Sequence, residues 1–117
     1  MKRRKKRSDL DGTHEMTTLF RALSDPSRFG VIKLLAARAQ AKATDACGDG
    51  PLCVNALAYR LNITQSAVSQ HLRVLRNIGL VRGVRRGAFV HYMVDLEGLD
   101  RALQALRDSL GMARARR

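Results

Sequence analysis

The residues most able to do chemistry lie in "DACGDGPLCVNALA", Asp45 to Ala58. The stretch holds both cysteines of the chain, Cys47 and Cys53, with Asp45 and Asp49 beside the first. Five residues separate the thiols, two of them glycine, so a disulfide between them is open to a flexible loop. As thiolates they would instead suit a soft metal ion, with His14, Asp45, Asp49 or a second copy of the chain completing the shell. In a third reading both are inert: Cys53 packs as a small apolar residue and Cys47 is a loop thiol.

A second constellation lies in "TQSAVSQHLRVLR". Gln65, Ser66, Ser69, Gln70 and Arg73 recur at helical spacing on one face, with Thr64 ahead of them as a helix cap. Short hydrogen-bonding side chains and an arginine on one face are what the major groove of DNA requires. Glutamine can pair bidentately with adenine, and arginine with guanine. Further along, Arg85 and Arg86 stand next to Gly87, where a hairpin tip could bring them to a neighbouring groove or its phosphates.

These groups need elements to position them. Met16, Leu19, Phe20 and Leu23 form the stripe of a first helix, with Thr13 as its expected cap. Pro26 opens a second helix capped by Asp25, and Val31, Ile32, Leu34 and Leu35 give it a broad apolar face toward residue 43. Val54, Leu57, Ala58 and Leu61 predict a short third helix, and "NIT" turns it into the fourth. In that fourth helix Val68, His71, Leu72, Leu75 and Ile78 oppose the polar face, and Gly79 ends it. The period then shortens: "LVRGVR" and "AFVHYMVD" predict a two-stranded hairpin, with His91 as a structural strand residue. Leu99, Ala102, Leu103, Leu106 and Leu110 mark a last helix closed by Gly111.

The expected fold class is therefore mostly α with a small β-hairpin (α+β). It is a winged helix-turn-helix in the order ααα α ββ α, occupying residues 13–112. Residues 1–12 read as a basic disordered arm and 113–117 as a basic tail. The chain carries 22 Lys and Arg against 10 Asp and Glu, a net charge of +12 that favours a polyanionic partner. Nine of those basic residues lie in Lys2–Arg7 and at Arg114, Arg116 and Arg117; without them the charge is about +3. The recognition case therefore rests on pattern more than on total charge.

No apolar run approaches the roughly 18 residues that cross a bilayer, so no membrane partner and a cytoplasmic location are expected. No catalytic constellation is visible, so the chain is read as a non-enzyme. The expected partner is double-stranded DNA. A constitutive architectural or non-specific nucleic-acid-binding protein is the alternative, supported by the basic ends.

The stretches "LFRALSDPSRFGVIKLL" and "LCVNALAYRLNITQSAVSQHLRVLRNIGLVRGVRRGAFVHYMV" resemble the ArsR/SmtB family of bacterial winged-helix repressors. The resemblance covers roughly residues 14–110. It implies a homodimer built on the first and last helices, through Met16, Leu19, Phe20, Leu23, Leu99, Leu103, Leu106 and Leu110. It also implies repression at an inverted repeat, relieved by a thiol-directed signal: oxidation, a reactive sulfur species or a metal ion. Two departures matter. The family's arsenic-type site is Cys-x-Cys at the start of the third helix, and Cys53 is followed by Asn55 in the second position. The family's other common site uses His and carboxylates of the last helix, where this chain offers Glu97, Asp100 and Asp108 with no His or Cys. The resemblance thus leaves the inducer open, with a metal ion one option and Cys47, Cys53 and His14 its candidate ligands.

Overall fold

A computed structural model describes residues 13–40 and 52–112. The chain runs α1 (Thr13–Leu23), α2 (Pro26–Gln40), β1 (Leu52–Cys53), α3 (Val54–Leu61), α4 (Gln65–Asn77), β2 (Val81–Arg86), β3 (Phe89–Val94) and α5 (Leu96–Ser109). Thr13, expected as a cap, is itself the first residue of α1. Asp25 caps α2 as expected. Its Oδ1 accepts from the amides of Ser27 at 2.8 Å and Arg28 at 3.3 Å, and Pro26 fills the first helical position, where no N–H is missed. The Arg28 amide above all, helped by that of Ser27, holds the Asp25 carboxyl below the usual carboxylate range.

The sheet keeps the expected hairpin and adds a strand to it. It has three antiparallel strands in the order β1-β3-β2, with Leu52 opposite Tyr92 and Cys53 opposite His91. The expected order ααα α ββ α thus gains a strand ahead of the third helix. Two residues are too few to show a period of two, so β1 leaves no pattern of its own. What forms it is the burial of Leu52 beside Tyr92 while the backbone is still extended before α3. Between β2 and β3, Val81 faces Val94 and Arg86 faces Phe89, with a two-residue turn opened by Gly87 at positive φ.

The core unites every layer. Val31, Ile32 and Leu35 of α2 meet Leu57 of α3, Val68, Leu72 and Leu75 of α4, and Leu80, Val81 and Val94 around the sheet. Each of these fully buried side chains contributes about 1.5–3 kcal/mol of apolar transfer. The expected apolar stripes of α1 and α5 divide in two. Met16 is buried and Leu19, Leu23 and Leu99 pack on the core, whereas Phe20, Leu103 and Leu110 stand 47%, 49% and 65% exposed.

Candidate nucleic-acid interface

The helix-turn-helix is built by local chemistry at residues 61–65. Asn62 takes the left-handed conformation, φ 54 and ψ 47, and ends α3. The Ile63 amide then donates to the Ala58 carbonyl at 3.1 Å. Thr64 is extended, and its Oγ1 accepts from the Ala67 amide at 3.0 Å, closing the first turn of α4 as the sequence predicted. No acidic residue occupies that first turn, so the positive end of the helix dipole is left uncompensated by carboxylates.

Burial then sorts α4 as the periodicity required. Val68, Leu72 and Leu75 are buried. Thr64, Gln65, Ser66, Ser69, Gln70 and Arg73 are exposed, and so is Arg76 one turn further on. Six of the eight expected DNA-contacting residues are therefore accessible at the cap and over the first three turns of one helix. The other two, Arg85 and Arg86, are exposed at the end of β2. As adjacent strand residues they project to opposite faces of the hairpin, so the wing can engage with either one but not both on the same side. Arg82 lies on the Arg86 face and is exposed as well, a basic group that the sequence reading did not single out.

The candidate sensor residues are only partly covered. Cys47, Asp45 and Asp49 lie outside the described residues. Cys53 is a half-buried free thiol at the junction of β1 and α3, where it makes no side-chain capping bond. It borders a cleft of about 270 Å³ with Val54, Asn55, Phe89, Val90 and Tyr92. His91 is opposite it in the ladder, and its Nδ1 is buried without a hydrogen-bond partner among the described residues. His14 is exposed at the start of α1, and its carbonyl accepts from the hydroxyls of Thr17 and Thr18. Among the described residues, no group of three or more His, Cys, Asp and Glu could hold a metal ion. His71 is half-buried in α4, its Nδ1 likewise unpartnered, and its charge would favour the nearby Asp25 carboxylate. Among the described residues, no helix is long and apolar enough to cross a membrane.

A short helix, a tight turn, a helix with one polar exposed face and a basic β-wing together define a winged helix-turn-helix domain. Residues 25–82 match the family model described as "Bacterial regulatory protein, arsR family". The chain belongs to that family. It is 37% identical over 84 residues to the HTH-type transcriptional regulator NmtR of Mycobacterium tuberculosis, covering 72% of this chain and 60% of that one. It is 39% identical over 83 residues to the transcriptional repressor SmtB homolog of Synechocystis, covering 71% and 54%. An ArsR-like transcriptional regulator from Rhodococcus superposes with a TM-score of 0.65 at 25% identity, over 86% of this chain and 83% of that one. The chain thus spans little more than half the length of the curated relatives it matches.

Proposed function

We propose that the protein is a transcriptional repressor that binds an inverted DNA repeat as a homodimer. The observation that carries this reading is the division of α4 into a buried Val68–Leu72–Leu75 face and an exposed face of Gln65, Ser66, Ser69, Gln70 and Arg73. That face enters the major groove, where Gln70 and Arg73 read base edges and Thr64, Gln65 and Ser66 approach the phosphates. One of Arg85 and Arg86, whichever face of the wing meets the DNA, reaches the flanking backbone. The segments 1–12 and 113–117, outside the described residues, add a sequence-independent grip through their basic side chains.

Phe20 on α1, Leu103 on α5 and Leu110 at the α5 C-cap are apolar side chains left about half or more exposed, and they form the contact with the second copy. Met16, Leu19, Leu23, Leu99 and Leu106 support that surface from within. Cys53, beside the N-terminus of α3, is the point where a thiol-directed signal acts, with Cys47 as its partner in the disulfide form. Modification there would disturb the helix that packs directly on α4. The protein works in the cytoplasm and catalyses no reaction.

The test is a hydroxyl-radical footprint on the DNA upstream of its own gene. Two protected patches, related by a dyad and centred about 10 base pairs apart, are expected. Uniform protection along the fragment would favour an architectural role and overturn this reading.

A further inference from the structure

The first turn of α5 is pressed against the backbone that ends α4. Gly98 is buried, and a β-carbon at this position would stand 1.8 Å from the Gly79 carbonyl oxygen and 3.0 Å from its carbon. Ordinary contact begins near 3.4 Å, so glycine alone fits. Gly79, at φ +78, is the residue that turns the chain out of α4, and its amide donates to the Arg76 carbonyl at 3.0 Å. The next amide, Leu80, donates to Leu75 at 2.9 Å, and the Leu80 carbonyl accepts from Asp95 at 2.8 Å. Asp95 in turn caps α5, its carboxylate accepting from Gly98 N–H at 3.0 Å. Backbone meets backbone through these ties, so no flexible side chain can absorb a change in separation.

We propose that Gly98 is a positioning residue that fixes the angle between α4 and α5, and through it the half-site spacing the dimer accepts. This rests on the reading of α4 as the DNA-reading helix and α5 as part of the dimer contact. The lever can be worked out. A β-carbon at Gly98 would have to retreat about 1.6 Å to reach ordinary contact. For a helix of 14 residues, about 21 Å long, lifting one end by that amount is a tilt of about 4°. Reading helices about 34 Å apart across a two-fold axis would each move by about 1 Å. Relative to each other the two helices are then displaced by about 2–3 Å, on the scale of one base-pair step.

The experiment measures binding of wild type, Gly98→Ala and Asp95→Ala by fluorescence anisotropy. The duplexes carry one half-site of the footprinted repeat, or two half-sites at spacings stepped by single base pairs. For Gly98→Ala the half-site affinity should stay within about twofold of wild type. Affinity for the natural spacing should fall about tenfold, as for one mismatched pair, and the best spacing should move by about one base pair. Asp95→Ala keeps the glycine contact but loses the cap that orders the turn. It should flatten the spacing preference, and it decides the matter if circular dichroism shows Gly98→Ala to be unfolded. An unaltered spacing profile in a folded Gly98→Ala, equal losses on half-site and full site, or an unaltered profile in Asp95→Ala would each overturn the proposal. A wild type with no spacing preference at all would instead sink the dimeric reading on which it rests.

Discussion

Thr64 has two tasks that substitution can separate. Its hydroxyl oxygen accepts from the Ala67 amide at 3.0 Å, and in the proposed complex its position at the head of α4 sets it against the DNA. Thr64→Ala removes the cap and should cost about 1 kcal/mol of stability. For a domain of this size that is a fall of about 4–8 °C in Tm. Thr64→Asp keeps an acceptor and places a carboxylate at the positive end of the helix, so its stability should match or exceed wild type. The same carboxylate would face phosphates at about 6 Å. At an effective dielectric between 80 and 20, the repulsion is about 0.7–3 kcal/mol per subunit. Counted in both halves of a dimer, Kd should rise by roughly tenfold or more. The assay is thermal unfolding paired with anisotropy titration at fixed salt. If Thr64→Asp binds within twofold of wild type, the N-terminus of α4 is not at the DNA. If Thr64→Ala melts like wild type, the cap carries no load.

Three further outcomes follow from the same structure. The Asp25 carboxyl is held below its usual range, so its contribution is present above the unfolded value near pH 4 and is lost as pH falls through the lower folded value. Urea unfolding of wild type and Asp25→Asn should therefore differ at pH 6 and converge in acid, and a gap that does not depend on pH would refute the assignment. Leu103→Glu and Leu110→Glu alter side chains already 49% and 65% exposed, so the fold should survive while sedimentation shows a monomer; a dimer that persists in both would reject this interface. Thiol-alkylating reagents should release wild-type protein from its site, and Cys53→Ser should resist them. Equal release of both proteins would remove Cys53 as the point of action.

The exposed polar face of α4 was legible in the sequence because α4 is a strongly two-sided helix. Apolar residues at 68, 72 and 75 and polar ones at 66, 69, 70 and 73 leave one consistent rotation, and Thr64 marks its start. Proline after aspartate placed the start of α2 in the same way. What stayed hidden depends on contacts between distant parts of the chain. Leu52 and Cys53 pair with residues some 40 positions away, and a two-residue strand has no period to read. Cys53 therefore looked only like the opening of a helix, when it is the N-cap of α3 and also a strand residue opposite His91. The close approach of Gly98 to Gly79 is likewise a tertiary fact. Its one local sign was a lone glycine inside an otherwise regular helical pattern. The exposure of Phe20, Leu103 and Leu110 could not be foreseen either, because periodicity marks an apolar stripe without saying what covers it.

In the proposed repressor the exposed face of α4 reads base sequence while the basic groups elsewhere only hold the backbone. Measuring the affinity of Arg73→Ala for the protected repeat and for a random duplex, at one salt concentration, tests it most directly. A loss of about 1–3 kcal/mol per half-site on the repeat, with little change on random DNA, is the predicted result. Equal losses on both duplexes would mean that Arg73 touches only phosphate and that α4 does not read the bases.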